Sequence, residues 1–179
     1  MDALLRDLLP TAPDLGLFVR PDIPDKKLHA AIGDYAPDVS PGDVIALYDA
    51  TRLGSAKDGA LFLGDRFVFQ NNDLQAPRTI RYEDIVGVKA KRKLLGGREV
   101  EVTVNRGRAT VTEVVDFSGQ AGAAEFVERF LHEAMVRSAS APRETNATDV
   151  DAVRQALDPL VADGALTAAD RDRMLALLS

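Results

Sequence analysis

The 179-residue chain has no cysteine, no tryptophan and only two histidines, His29 and His132. Without cysteine the chain can form no disulfide, no thiolate metal site and no cysteine nucleophile. No apolar run approaches the ~20 residues that a membrane-spanning helix needs. The first ten residues are too short and too acidic for a secretory signal, which starts with basic residues and continues into a longer apolar core. We therefore expect a cytoplasmic protein without a transmembrane segment.

Motifs that carry enzymatic chemistry are missing as well. The sequence contains no HExxH, no GxSxG and no phosphate-binding loop that ends in Gly-Lys-Ser/Thr. The two histidines fall on separate predicted helices, and scattered carboxylates alone rarely make a metal site. We expect a protein that is not an enzyme and that carries no cofactor and no metal.

The net charge of −6 is unevenly distributed along the chain. Residues 41–138 hold 14 basic and 14 acidic side chains, whereas residues 1–40 and 139–179 each hold 4 basic and 7 acidic ones. Phosphate binding along a nucleic acid requires a basic surface. A nucleic-acid partner is therefore not expected, although a local basic patch in the middle segment remains open.

Period-2 alternation between Gly/Asp turns predicts a series of short strands. The predicted strands are seven: 44–51, 60–63, 66–70, 79–82, 85–95, 98–105 and 108–117. Glu113 is in phase with Val111 and Val115, which predicts either a bulge or a partnered, buried carboxylate at that position. Seven short strands with tight turns are typical of an antiparallel barrel or sandwich.

Helical periodicity flanks the strands on both sides. A helix over about 25–35 has an apolar face suited to covering a sheet, and His29 lies off that face. After the strands, an apolar stripe over 126–134 is suited to filling the open end of a barrel. The chain is predicted to be α+β, with an N-terminal helix and wrapping segment (1–22), a main domain (23–138), a linker (139–148) and a small helical hairpin (149–179).

Seven strands closed by one C-terminal amphipathic helix resemble the pleckstrin-homology (PH) fold. The GSAKDG turn (54–59) and the RYEDI stretch (81–85) are similar to the corresponding motifs of the bacterial, YokE-like branch of PH domains. The tail over 157–178 resembles the SHOCT helical hairpin, in which Gly164, Leu166 and Thr167 match the pattern. These resemblances imply a PH-like seven-stranded barrel or sandwich that serves binding and assembly rather than chemistry.

Candidate binding residues cluster on one hairpin. They are Lys89, Lys91, Arg92, Lys93 and Arg98, placed around Gly96-Gly97 with Leu94 and Leu95 at the tip. Such a hairpin suits an anionic membrane surface or an acidic protein partner, including this chain's own acidic tail; it also suits a solvated edge strand protected by lysines. Lys57, in the GSAKDG turn, is a further anion-binding candidate. The alternative there is a structural turn, with Asp49 and Asp58 accepting backbone N–H groups.

The tail supplies candidate assembly residues: Leu157, Leu160, Leu175 and Leu178. Two helices this short bury little apolar surface on their own, so we expect these leucines to pack against another surface. The predicted function is an interaction module that binds a protein partner or self-associates. The alternative is peripheral membrane or anionic-ligand binding through the 89–98 hairpin.

Overall fold

The computed structural model describes residues 1–94, 96–140 and 147–176, the side chains of 147–152 excepted. The chain divides into two units, Met1–Ser140 and Ala141–Ser179. The first unit contains α1 (Asp2–Leu8), β1 (Leu17–Val19), α2 (Asp25–Tyr35), β2 (Ala46–Asp49), β3 (Gly59–Phe62), β4 (Arg66–Gln70), β5 (Arg78–Arg81), β6 (Ile85–Arg92), β7 (Arg98–Asn105), β8 (Thr110–Asp116) and α3 (Ala123–Ser140). The second contains α4 (Ala147–Ala162) and α5 (Ala168–Ala176).

The strands form two antiparallel sheets, in the orders β1-β2-β3-β4-β5 and β6-β7-β8. The α+β class is confirmed, and all seven predicted strands are present at the predicted places. The expectation of a seven-stranded barrel is corrected, because the described residues form eight strands in two separate sheets rather than a closed barrel. The additional strand, β1, lies in the predicted wrapping segment (1–22) and pairs with β2. Three residues are too few to show a period of two, so no pattern in the sequence predicts this strand.

Glu113 is a partnered carboxylate, and β7 pairs with β8 in continuous register on both sides of it. Its side chain is 16% exposed and lies 3.8 Å from Arg78 Nε on β5. The register shows no bulge at this position, and the carboxylate has the predicted partner but is half-buried rather than buried. The ion pair links the last strand of one sheet to the last strand of the other.

Strands β1 to β4 of the five-stranded sheet are buried on both faces, whereas the edge strand β5 is mostly exposed. On one face, Leu47, Leu61 and Val68 pack with the apolar side of α2, whose Leu28, Ala31 and Tyr35 are buried. This confirms that α2 covers a sheet, and His29 is exposed as expected. Side chains on the opposite face, such as Tyr48 and Phe62, belong to the main core between the two sheets.

Helix α3 completes the main core with an aromatic cluster. The ring of Phe130 meets the rings of Phe62 and Tyr82 edge-on, at centroid distances of 5.8 and 5.4 Å. Phe67 stacks on Phe62 and Tyr82 beneath them. Aromatic pairs in these geometries stabilise a core beyond the burial of their area. The predicted apolar stripe on this helix is therefore buried in the main core, although the described residues form no closed barrel for it to fill.

The second unit is a helical hairpin. Helix α4 continues through Pro159 and ends at Ala162, and Gly164 follows in the left-handed conformation with a φ of 73°. Thr167 Oγ1 accepts the backbone N–H of Asp170 (3.1 Å), and the Thr167 hydroxyl donates to the Asp170 carboxylate (2.6 Å). These two hydrogen bonds cap the start of the last helix.

Candidate functional site

The 89–98 hairpin is largely neutralised by acidic side chains from neighbouring elements. Register places Lys89 opposite Glu101 and Lys91 opposite Glu99 across β6 and β7. Lys91 Nζ lies 2.5 Å from Glu101 Oε1. Opposite charges across a strand pair stabilise the sheet and reduce the field that a distant anion would experience.

Acidic residues also pair with the far end of the hairpin. Lys93 Nζ lies 3.1 Å from Asp116 on β8, and Arg98 lies 2.6 Å from Glu125 on α3. Of the five candidate cations, Lys89 and Arg92 are exposed and form no ion pair within the described residues. Leu94 is fully exposed beside them, and Leu95 lies outside the described residues.

The loop from residue 50 to residue 58 is organised around Asp49, which is 3% exposed. Asp49 Oδ1 accepts the backbone N–H groups of Thr51 (2.9 Å) and Ala56 (3.2 Å), as well as the Thr51 hydroxyl (2.5 Å). The hydroxyl oxygen of Thr51 in turn accepts the N–H of Ser55 at 2.8 Å. The structural-turn interpretation of Asp49 is confirmed. The N–H groups of Thr51 and Ala56 therefore bind the chain's own carboxylate rather than an external anion.

A lysine from α2 balances that carboxylate. Lys27 Nζ lies 2.5 Å from Asp49 Oδ2 and donates to the carbonyl of Gly54 at 2.6 Å. The ammonium also lies 5.4 Å from the centre of the Phe18 ring, within reach of a cation–π interaction. Sequence reasoning missed Lys27, because only the packing of α2 on the sheet brings it to this loop.

Lys57 and Asp58 close the same loop. Lys57 is exposed and has no ion pair in the described part of the chain, so its role in anion binding remains a prediction. Asp58 is half-buried, and its Oδ1 is buried without a hydrogen-bond partner. Burial and the negative charge of Asp73 raise the pKa of Asp58 above its ordinary value. Asp58 therefore does not hold the loop as Asp49 does, since Asp49 accepts hydrogen bonds from several donors.

The described residues contain no group of three or more histidine, cysteine or acidic side chains placed to hold a metal ion. A surface depression of about 420 Å³ is lined by Asp2, Asp43 and Asp65. Asp2 and Asp65 each pair with a neighbouring arginine, Arg6 and Arg66. Carboxylates neutralised in this way on an open surface are not set up as a general acid or base.

Three leucines stand at the tips of three loops with almost complete exposure. Leu53 and Leu74 are 97% exposed, and Leu94 is 101% exposed. They lie in the β2–β3, β4–β5 and β6–β7 loops. Sequence reasoning placed only Leu94 at a binding surface, because one leucine in a polar loop carries no periodicity.

In the second unit, the assembly candidates differ in burial. Leu175 is buried, Leu157 is half-buried and Leu160 is 45% exposed. Met174, which was not among the candidates, is 48% exposed. Leu178 lies outside the described residues. The apolar side of this hairpin is therefore only partly covered.

Comparisons with protein-family models, curated proteins and solved structures give no match to this chain. No helix in the part of the chain that the structure describes is long and apolar enough to cross a membrane.

Proposed function

We propose that this chain is a non-enzymatic, PH-like interaction module of the cytoplasm that self-associates through its C-terminal hairpin. The two antiparallel sheets followed by the core-filling helix α3 support the PH-like assignment. A binding function, rather than an enzymatic one, is supported by the structural roles of the charged side chains in the first unit. Asp49, Lys93 and Arg98 neutralise other side chains or hold loops in place.

The observation that carries self-association is the exposure of the second unit's apolar side chains. Its two helices bury Leu175, whereas Leu160 and Met174 remain nearly half exposed. A hairpin of this size has little core of its own, and further burial would stabilise it. Residues three and four apart share a helix face, so Leu157 and Leu160 can present one surface to a partner.

A second copy of the same hairpin is the partner that this surface fits. Arg171 lies 2.9 Å from Asp158 and 2.8 Å from Asp172, so charges beside the apolar side chains are satisfied within the hairpin. A surface whose charges are already paired does not demand a partner of opposite sign. Two-fold pairing of one patch with itself is also the commonest form of self-association.

The test is light scattering coupled to gel filtration on the full chain. We expect an oligomer for the unchanged chain and a monomer for the Leu160→Ser/Met174→Ser variant. Because apolar contacts are not screened by salt, the oligomer should persist at high ionic strength. The matched control is Leu53→Ser/Leu74→Ser, which removes two exposed apolar side chains from the first unit and should leave the oligomer intact. Equal masses for all three proteins would contradict the proposal.

The alternative function is anionic-ligand or membrane binding through the 89–98 hairpin. The exposed Lys89 and Arg92 support it, since neither forms an ion pair within the described residues. Only two of the five cations of this hairpin are left to bind an external anion, because acidic side chains pair with Lys91, Lys93 and Arg98. Binding of this kind would weaken steeply with salt, unlike the apolar association above.

A further inference from the structure

Two of the four edge strands in the described sheets are covered by the chain itself. The free edge of β1 exchanges backbone hydrogen bonds with the segment before it, at 2.8 and 3.1 Å between Ala12 and Leu17. At the free edge of β6, the backbone N–H of Ala90 donates to Glu128 Oε1 of α3 at 2.7 Å. An edge covered in this way is protected from pairing with another chain. The remaining edge strands are β5 and β8.

Strand β8 has backbone groups without partners along its outer edge. The N–H of Arg106 donates to the carbonyl of Ala109, and the β7–β8 register continues from there without a break. In an antiparallel pair only alternate residues exchange hydrogen bonds, so the residues between them direct their N–H and C=O groups away from β7. These residues are Thr110, Thr112 and Val114. Among their backbone groups, the Val114 carbonyl accepts a hydrogen bond from Asn71 (2.7 Å), and no other has a partner in the described part of the chain.

The outer edge of β8 also lacks features that commonly prevent strand pairing. The strand contains no lysine, no proline and no bulge. Its Glu113 carboxylate is paired with Arg78, so the acid does not act as an unpaired charge at the edge. Thr110, Val111 and Thr112 are exposed, and β-branched residues favour the extended backbone that they already have. This edge is therefore accessible and in strand conformation before any partner arrives.

The outer edge of β5 faces β8 across a cleft of about 370 Å³. Arg78 Nε lies 3.8 Å from the Glu113 carboxylate, and Arg106 donates to the carbonyl of Thr79 at 3.4 Å. Side chains thus join the two edges, and no backbone ladder connects β5 to β8 in the described sheets. The volume lies in the range of ligand sites, about 300–1,000 Å³. Because β5 bounds the cleft on its far side, the cleft admits a single extended strand rather than the edge of a second sheet.

The charges around the cleft favour an acidic partner at one end. Arg106 and Arg108, in the β7–β8 turn, are exposed and form no ion pair within the described residues. The other cations and most acids of β5, β8 and the segments beside them are already paired, as Arg78–Glu113, Arg81–Glu83 and Lys93–Asp116. The acids without an ion pair there are Asp73, in the β4–β5 loop at the opposite end, and Asp84, which is half-buried after β5. Exposed positive charge without a partner is therefore concentrated at the β7–β8 turn.

We propose that β8 binds an extended, acidic segment of a partner protein as an additional antiparallel strand in this cleft. The backbone of the segment pairs with the outward groups of β8, as in strand addition to a sheet edge. Antiparallel pairing directs the C-terminal end of the segment toward the β7–β8 turn, where its carboxylates meet the two free arginines. Phe69 and Ala76 line the cleft and contact alternate side chains of the segment. The ion pair that the segment displaces contributes little, because Arg78 is 60% exposed.

The experiment is a selection of random nine-residue peptides displayed on phage against the full chain, followed by fluorescence anisotropy of the enriched peptides. We expect alternating β-branched residues and acidic residues toward the C-terminal end, with binding that weakens at high salt. Thr112→Pro removes an outward N–H and no bond to β7, and it should raise the apparent Kd by at least about tenfold. The matched control is Thr112→Val, which keeps the N–H and should bind as the unchanged chain does.

Two further measurements test the charge and the place of binding. Arg106→Gln/Arg108→Gln should raise the apparent Kd by about fivefold and reduce its salt dependence. Amide hydrogen exchange locates the bound peptide, which should slow exchange at Thr110 and Thr112 and leave Ala90 on β6 unchanged.

Three outcomes would overturn the proposal: no peptide is enriched, the enriched peptides bind Thr112→Pro as tightly as the unchanged chain, or exchange slows on β6 rather than on β8. If no peptide binds and Thr112→Pro lowers the mass seen by light scattering, β8 instead pairs with a second copy of the chain. Tyrosine fluorescence verifies that each variant is folded. Leu160→Ser/Met174→Ser should bind the peptides as the unchanged chain does, so this proposal and self-association through the second unit fail separately.

Discussion

Asp49→Ala removes the carboxylate around which the 50–58 loop is folded. The backbone N–H groups of Thr51 and Ala56 lose their acceptor, and Lys27 keeps only the carbonyl of Gly54. Alanine leaves the β2 backbone unchanged, so the loss is confined to this network. The expected effect is therefore a loss of stability of the first unit.

The expected cost follows from burial. Removing one partner of a buried ion pair costs about 3–5 kcal/mol, because the other charge is left without compensation. Lys27 is 22% exposed, so water can partly rehydrate it and the expected loss lies near the lower limit, at about 3 kcal/mol. Lys27→Met should cost less, about 1–2 kcal/mol, because the Asp49 carboxylate keeps its three other donors.

Urea unfolding, monitored by tyrosine fluorescence, measures this loss of stability in the first unit of the fold, Met1–Ser140. The chain has no tryptophan, and its three tyrosines, Tyr35, Tyr48 and Tyr82, are all buried in the first unit. The signal therefore reports on that unit and not on the C-terminal hairpin. The free energy of unfolding is obtained by linear extrapolation for the unchanged chain and for each variant.

Asp65→Ala is the matched control, since it removes an exposed carboxylate paired with the adjacent Arg66. Such a surface pair contributes little, and the expected change is within about 0.5 kcal/mol. A loss below about 1 kcal/mol for Asp49→Ala would refute the reasoning, because it would place this carboxylate in the class of surface ion pairs.

Two further predictions concern pH. The raised pKa of Asp58 means that ionisation disfavours the folded state, so the stability of the unchanged chain should fall as pH rises from the ordinary value of 3.8 through the raised folded value. Asp58→Asn should therefore raise the urea midpoint at pH 7 and not below pH 3.8, and a lowered midpoint at pH 7 would contradict this. Burial tends to raise the pKa of Asp116, but hydrogen bonds from Ser118 and Lys93 outweigh it and lower that pKa below 3.8. The Asp116 carboxylate therefore stabilises the fold above pH 3.8, and this stabilisation is lost as pH falls through the lowered pKa of the folded state. Asp116→Asn should lower the free energy of unfolding by less than about 1 kcal/mol at pH 7 and leave it unchanged at the acid limit. A loss that does not vary with pH would argue against the ion pair.

Local patterns predicted most of the first unit. The strand from Arg98 to Asn105 begins and ends at the predicted residues, because alternating valines and polar residues specify both the extended backbone and the buried face. The phase of Glu113 predicted either a bulge or a partnered, buried carboxylate, and the structure shows a partnered, half-buried one. Its partner, Arg78, could not be read from the sequence, since that contact depends on how the edges of two sheets meet.

The candidate site was less accessible to sequence reasoning. Lysines and arginines at 89–98 look like a positive patch when read along the chain. In the fold, β7, β8 and α3 place Glu101, Asp116 and Glu125 against three of them. The sequence pattern around a charged residue does not identify the residue with which it pairs. Each of these acids lies in an element other than β6, so the pairs could not be predicted from the hairpin sequence.

What the sequence by itself determined is the set of elements apart from β1: which residues extend, where the chain turns and which faces are apolar. Those properties depend on residues a few positions apart in the sequence, so they are visible as the 3.6-residue period of helices and the 2.0-residue period of strands. Only the tertiary structure decided which loops share an end, because that depends on sheet order, register and the contacts of the 114–119 segment. Leu53, Leu74 and Leu94 are isolated leucines in three polar loops until folding brings those loops to one end of the first unit.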